Sequence, residues 1–228
     1  MYTGPDIVTD GLVFALDPGS ERCYPGSGTT TTSLVGTSVG TLTNGVGFDS
    51  ANGGSFTFDG VNDYISVAYN TELNTPLGAT YDIWIYPTSS GEFLSRGTSD
   101  SGTTPDNPRF YISGSGGLYF DWSIPGVDTY VDAASGVVTL NAWNNIIGVA
   151  ASGQQLRFYV NTIEPSYTTV VNTMPTPLQN TANPLIIGGV TWIPRYIAGK
   201  IAVVRLYNKV LSATERSQNY NAQKNRFL

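Results

Sequence analysis

Carboxylates are the residues of this chain with the greatest catalytic potential. Glycoside hydrolysis needs two of them at a fixed separation, one as acid and one as nucleophile or base. The glutamates are scattered, and Asp82 and Asp121 lie on predicted strands with no carboxylate partner nearby in the sequence. Ser-His-Asp and Cys-His catalysis and histidine-ligated zinc are excluded, because the chain has no histidine and a single cysteine, Cys23. The sequence therefore predicts a protein that is not an enzyme.

Three oxygen-bearing residues near a predicted hairpin could hold a hard cation such as calcium, which prefers carboxylate and carbonyl ligands. They are Asp59, Asn62 and Asp63. Asp-Gly and Asn-Asp pairs are also common in turns, where these side chains bond to the nearby backbone. We favour the turn, so no cofactor is predicted, and calcium stays the alternative.

Sugar binding usually relies on an exposed aromatic ring that stacks on the apolar face of the sugar, while polar groups fix its hydroxyls. Aromatic residues at the end of a predicted hairpin and on a late loop are candidates, with polar neighbours that the fold would bring beside them. The candidate sugar-binding residues are Trp122, Trp192, Tyr196, Asp106, Asn107 and Arg109. The alternative is that these rings cap the core or pack against a neighbouring subunit.

Residues 1–10 are predicted to form an extended arm, ahead of a domain that covers residues 11–228. Such an arm can dock on another chain by adding a strand or by filling a groove. The candidate docking residues are Tyr2, Pro5, Ile7 and Val8. A first strand of the same domain is an equally good interpretation.

Composition narrows the classes of partner. Charged residues make up only 12% of the 228 residues, and the formal net charge is −6. An acidic chain with few lysines and arginines is poorly suited to phosphate backbones or to anionic membrane surfaces. No apolar run is long enough to cross a bilayer. We therefore expect no nucleic-acid partner and no membrane insertion.

The elements that must position these residues are mostly short strands separated by turns. Residues 80–86 alternate, with Tyr81, Ile83 and Ile85 on one face. A closing strand over residues 199–207 is followed at once by a Ser212-x-x-Glu215 capping box, which begins a helix. The pattern predicts an all-β fold, a single jelly-roll sandwich of two antiparallel sheets with a short C-terminal helix.

Several segments, in order, resemble the LamG-like domains of the concanavalin A-like lectin/glucanase superfamily. The segments are residues 55–67, 81–87, 143–149, 156–161, 185–189 and 199–215. The resemblance implies the jelly-roll sandwich and a binding or display role. The glucanases of that superfamily place their carboxylates as Glu-x-Asp-x-x-Glu on one strand, and this run is absent here. Relatives with calcium often carry Asp where this chain has Ala202, which weakens the metal hypothesis.

Residues 6–17 and 219–227 resemble LamG-like proteins encoded by tailed bacteriophages. This resemblance implies a virion surface protein, either capsid decoration or fibre and adhesin, made in the host cytoplasm. Its partners would be other virion proteins or further copies of itself, with host-surface polysaccharide as a candidate ligand. The alternatives are a dedicated carbohydrate-binding lectin module and, third, a glucanase-like glycoside hydrolase.

Overall fold

The computed structural model describes residues 6–97 and 106–228, apart from the side chain of Asp106. In chain order the strands are β1 (Leu12–Leu16), β2 (Thr30–Thr32), β3 (Val39–Thr43), β4 (Gly47–Asp49), β5 (Ser55–Asp59), β6 (Tyr64–Val67), β7 (Gly78–Pro87), β8 (Gly91–Ser95), β9 (Asp106–Ile112), β10 (Leu118–Ser123), β11 (Tyr130–Ala133), β12 (Asn144–Ala151), β13 (Arg157–Val160), β14 (Tyr167–Val171), β15 (Leu185–Ile187) and β16 (Ala198–Tyr207). Short 3-10 turns occupy Ala51–Gly53 and Thr71–Leu73, and α1 (Ala213–Phe227) closes the chain.

The strands form two antiparallel sheets, which confirms the predicted fold class. One sheet has seven strands, in the order β13-β12-β7-β16-β5-β4, with β1 also paired to β16. The other has nine, in the order β14-β11-β10-β9-β8-β15-β6-β3-β2. Strand β16 is long enough to pair with β5 over its first half and with β1 over its second half, on the side away from β7.

The core lies between the two sheets, because alternate side chains of each strand point inward. In β7 the inward residues are Tyr81, Ile83 and Ile85, all at most 1% exposed. In the facing sheet, the rings of Phe110 and Phe120 stack with their centroids 4.2 Å apart. The inner face of each sheet is therefore filled, and any binding surface must use an outer face, an edge or a loop.

Helix α1 packs on the outer face of the seven-stranded sheet. The predicted capping box is present: Glu215 N donates to Ser212 Oγ, and Ser212 N donates to Glu215 Oε2. Trp84, on the outer side of β7, stacks on Tyr220 and Phe227 of the helix, with centroid distances of 5.6 and 4.6 Å. Among the described residues, no helix is both long and apolar enough to span a membrane.

Candidate functional site

A cleft of about 400 Å³ opens on the outer face of the nine-stranded sheet, a volume within the range of small-molecule sites. We call it the outer-face cleft. Strands β8 to β11 form its floor, and residues 188–197 contribute one wall. Its principal lining residues are Glu92, Arg109, Tyr111, Tyr119, Asp132 and Arg195.

Strand register brings these residues together in a cross-strand row. Tyr111 of β9 lies opposite Glu92 of β8 and Tyr119 of β10, and Tyr119 lies opposite Asp132 of β11. Directly opposed residues on one face of a sheet have their Cβ atoms roughly 5 Å apart. Four strands thus present a continuous strip of two tyrosines flanked by two carboxylates.

A second row runs beside the first and carries its counter-ions. Asp121 of β10 lies opposite Arg109 of β9 and Tyr130 of β11. Nη2 of Arg109 lies 3.1 Å from Oδ2 of Asp121, whose Oδ1 accepts a 2.6 Å hydrogen bond from Ser123 Oγ. The ring centroids of Tyr119 and Tyr130 are 5.1 Å apart. The two rows together give the cleft an aromatic floor with charged groups at fixed positions.

Glu92 is the point at which both arginines meet. Its Oε1 lies 3.9 Å from Nη1 of Arg109 and 3.4 Å from Nη1 of Arg195. The absence of a second carboxylate near Asp121, expected from the sequence, is therefore wrong: Glu92 and Asp121 share Arg109 from strands that are distant in sequence. Each of these carboxylates therefore faces a guanidinium group.

The cleft tyrosines are half-buried, and each has a guanidinium group near its ring. The guanidinium carbon of Arg109 lies 5.5 Å from the ring centroid of Tyr119, and that of Arg195 lies 5.9 Å from the ring centroid of Tyr111. Burial raises the pKa of the Tyr119 hydroxyl, which therefore stays protonated at neutral pH. A protonated phenol can donate one hydrogen bond and accept others.

Residues 188–197 hold two of the predicted sugar-binding residues. Tyr196 is half-buried and stacks on Tyr64, with centroids 6.4 Å apart, and Trp192 is half-buried on the same segment. Arg195 is the residue of this segment that reaches the outer-face cleft. The structure therefore places Trp192 and Tyr196 beside the cleft and not in its lining, and their role in sugar binding stays a prediction.

Two of the predicted sugar-binding residues cannot present their side chains to a ligand. Trp122 is 0% exposed in the core, and its Nε1 donates to the carbonyl of Gln179. Asn107 is 1% exposed, and its Oδ1 accepts from the backbone N–H of Thr181. The prediction is wrong for both, because Trp122 shares the inward face of β10 with the core residue Phe120.

The two remaining predicted sugar-binding residues are Arg109 and Asp106. Arg109 does line the cleft, although its neighbours there are Glu92 and Tyr119 and not the predicted tryptophans. The side chain of Asp106 lies outside the described residues. Five of the principal lining residues went unpredicted: Glu92, Tyr111, Tyr119, Asp132 and Arg195. The available signal was local, since polar or aromatic residues alternate with core residues along β9, β10 and β11.

The candidate metal residues form a turn. Oδ1 of Asp59 accepts the backbone N–H groups of Val61 and Asn62 at 2.8 and 3.4 Å, and these bonds lower the pKa of Asp59. Oδ2 of Asp63 accepts the N–H of Asp59, and burial raises the pKa of Asp63. Over the part of the chain that the structure describes, no three Asp, Glu, Cys or His residues cluster as a metal site would require. The contacts are those of the turn that the sequence favoured.

The N-terminal arm is held by its own chain over its described part. Val8 is buried; its N–H donates to Asn219 Oδ1, and its carbonyl accepts from the Tyr207 hydroxyl. Ile7 packs against the same apolar cluster. The prediction that Val8 docks on another chain is therefore wrong, because its partners are α1 and β16, whereas the docking of the half-buried Ile7 stays a prediction. Tyr2 and Pro5 lie outside the described residues.

A two-sheet jelly-roll sandwich with an open, tyrosine-lined outer face defines a lectin-like β-sandwich protein. Residues 58–215 match the model of a laminin G-type family, Laminin_G_3, described as the Concanavalin A-like lectin/glucanases superfamily. The match covers more than half of the chain, so the chain belongs to this family. A comparison with curated protein sequences found no significant match.

Solved structures of two kinds resemble the whole sandwich. Trypanosoma rangeli sialidase in complex with sialic acid superposes with a TM-score of 0.68 at 16% identity, covering 98% of this chain and 35% of that one. The binding domain of botulinum neurotoxin serotype D superposes with a TM-score of 0.70 at 11% identity, covering 94% and 52%. The chain thus spans between a third and about half of the length of these proteins. At such identities the likeness shows the fold alone.

Proposed function

We propose that this protein is a carbohydrate-binding module without catalytic activity and that the outer-face cleft is its binding site. The observation that carries the proposal is the pair Tyr111 and Tyr119. They lie opposite each other on neighbouring strands, half-buried, on the floor of a cleft of about 400 Å³. Aromatic rings of this kind stack on the apolar faces of sugars.

The polar groups of the cleft suit sugar hydroxyls. Arg195 offers N–H donors, Asp132 offers carboxylate acceptors, and Ser113 and Thr168 add hydroxyl groups at the rim. A sugar presents both an apolar ring face and a rim of hydroxyls. The cleft therefore combines the two kinds of contact that a sugar site needs.

The charge pairing supports binding without hydrolysis. A glycosidase needs one carboxyl group that is protonated and can give its proton to the leaving oxygen. Glu92 and Asp121 both pair with the guanidinium of Arg109 instead of facing an open space with one free carboxyl group. The guanidinium also lies between the two groups, where a scissile bond would have to be.

The setting that we propose is the surface of a tailed-phage particle, as capsid decoration or fibre. It rests on the resemblance of residues 6–17 and 219–227 to LamG-like phage proteins. These two segments are joined to each other, for example by the ion pair of Arg226 Nη1 with Asp17 Oδ2 at 2.8 Å. They lie at the seven-stranded sheet, on the side of the sandwich away from the cleft. Contacts with virion proteins or further copies through this side would leave the cleft facing outward.

Binding can be tested by replacing one cleft tyrosine. Tyr111→Ala should weaken binding to any glycan that the wild-type protein binds by about tenfold or more, because it removes a stacking surface. The measurement is a glycan array followed by titration of the strongest ligand. Tyr69→Ala is the matched control, since Tyr69 is 42% exposed outside the cleft. Equal losses in the two variants, or wild-type protein that binds no glycan, would contradict the proposal.

The setting has its own test. Mass spectrometry and electron microscopy of purified particles from the phage that encodes this chain should find it in many copies on the surface, as expected of weak binders that gain avidity by number. Absence from purified particles would remove the virion role while leaving the cleft proposal in place.

A further inference from the structure

We infer that the outer-face cleft takes uncharged sugars and disfavours sugars that carry a carboxylate, sulfate or phosphate. The inference rests on the proposed function and names the class of glycan. It comes from the balance of charges around the two tyrosines, which the strand register fixes.

Carboxylates outnumber guanidinium groups once the residue behind the cleft lining is counted. Among the described lining residues, Glu92 and Asp132 match Arg109 and Arg195 in number, and Asp121, outside the lining, lies 3.1 Å from Arg109. The local sum is therefore −1, and it adds to a chain whose formal net charge is −6. In a partly dehydrated cleft this charge acts on a ligand more strongly than it would in water.

Both guanidinium groups are already engaged by carboxylates. Arg109 lies between Asp121, at 3.1 Å, and Glu92, at 3.9 Å. Arg195 lies 3.4 Å from Glu92. An acidic sugar binds best to an arginine that offers its whole planar fork to the anion. Here the anion would have to compete with a carboxylate that is 1% exposed and fixed in place.

The same arrangement remains suitable for neutral hydroxyls. Half of the Arg195 side chain is exposed, and a guanidinium has five N–H donors, so contact with one carboxylate leaves donors for a sugar oxygen. Asp132 lies at the far end of the tyrosine row and can accept hydrogen bonds from hydroxyls. The same Asp132 carboxylate would repel an anionic substituent.

The experiment compares neutral and acidic glycans on the wild-type chain at low ionic strength, where charge effects are largest. The first probe is an array that holds neutral, sialylated, uronate-containing and sulfated oligosaccharides. The second is the oligogalacturonate series beside its methyl esters, which have the same backbone without the charge. We expect the bound glycans to be uncharged, and any acidic counterpart to bind about tenfold more weakly or worse.

Two variants assign the preference to the cleft. Asp132→Asn removes the carboxylate at the end of the tyrosine row. It should reduce the ratio of the affinities for neutral and acidic glycans several-fold. Asp128→Asn makes the same change in charge on an exposed residue outside the cleft lining, and should leave that affinity ratio unchanged. An equal reduction of the affinity ratio in both variants would show that the preference for neutral glycans does not come from the cleft.

The remaining outcomes separate the two proposals. Binding of acidic glycans as tight as that of neutral ones, or tighter, would overturn this inference and leave the carbohydrate-binding function intact. Binding of no glycan at all would overturn the proposed function, and the inference would fail with it.

Discussion

The two outer faces of the sandwich carry similar residues but are covered differently. The outer face of the seven-stranded sheet lies under α1, whereas that of the nine-stranded sheet opens into the outer-face cleft. Each face holds an Asp–Arg pair at 3.1 Å, Asp82 with Arg205 on the covered side and Asp121 with Arg109 on the open side. The covered pair docks a helix, and the open pair lies at the cleft that we propose binds sugar.

On the covered face, Asp82 is satisfied by three side-chain donors. Asn145 Nδ2 donates to its Oδ1 at 2.7 Å, while Arg205 Nη1 and Asn219 Nδ2 donate to its Oδ2 at 3.1 and 3.0 Å. Asn219 also donates to the Tyr207 hydroxyl. The network therefore ties α1 to β7, β12 and β16, and its work is structural.

On the open face, two carboxylates share one arginine. Arg109 divides its contacts between Glu92 and Asp121, and Arg195 adds a half-exposed guanidinium at the rim. The aromatic residues of the two outer faces also differ in whether α1 covers them. Trp84 is covered by rings of α1, whereas Tyr111 and Tyr119 line a cleft. A buried ion pair therefore indicates function only once the elements that cover it are known.

The sharpest test of this comparison removes each aspartate in turn. Asp82→Ala should lower the free energy of unfolding by about 3–5 kcal/mol, because it leaves the Arg205 charge buried without its carboxylate and removes the acceptor for Asn145 and Asn219. Asp121→Ala should cost about 1–2 kcal/mol less, since Arg109 keeps Glu92 and its side chain is 11% exposed. Urea unfolding followed by fluorescence measures both values.

The comparison would break if Asp121→Ala proved the more destabilising of the two. That result would mean that the open face carries the larger share of the stability of the fold. It would also remove the distinction between a pair that docks a helix and a pair that serves a cleft.

Local sequence signals account for the features that were predicted correctly. Period-two alternation over residues 80–86 places Tyr81, Ile83 and Ile85 on the core side of β7, and Ser212 with Glu215 marks where α1 begins. The same alternation would also have placed Trp122 inside, because it continues the inward series of Leu118 and Phe120. Its position at the end of a hairpin strand was the weaker signal.

The outer-face cleft needed information that no local pattern holds. Glu92, Tyr119 and Asp132 lie in one cross-strand row because four strands pair in one register. Irregularities at Glu92/Leu94 and Asp121/Ser123 shift that register. A shift of one residue would send each side chain to the opposite face. The docking of Val8 on Asn219 likewise joins the two ends of the chain. Such contacts depend on the whole topology.

The smallest expected effect concerns the cap of α1, on the covered face. The Lys209 ammonium and the Ser212 N–H lower the pKa of Glu215 from its ordinary 4.5 to about 2. Because the folded-state pKa is depressed, the ionised carboxylate stabilises the protein above about pH 4.5. That contribution is lost as the pH falls towards 2. A quarter of the Glu215 side chain is exposed, so we expect about 1 kcal/mol.

Glu215→Gln should therefore cost about 1 kcal/mol at neutral pH, and the difference from wild type should vanish by about pH 2. Glutamine can still accept a bond from Ser212, so the variant isolates the charge that faces Lys209. Urea midpoints at a series of pH values measure the difference. Glu21→Gln, at an exposed glutamate between β1 and β2, is the control and should show no such convergence. If the urea midpoints of Glu215→Gln and wild type kept a constant difference down to pH 2, the Glu215 carboxylate would contribute nothing to the docking of α1. The helix would then be held on this face by Asn219 and the aromatic stack alone.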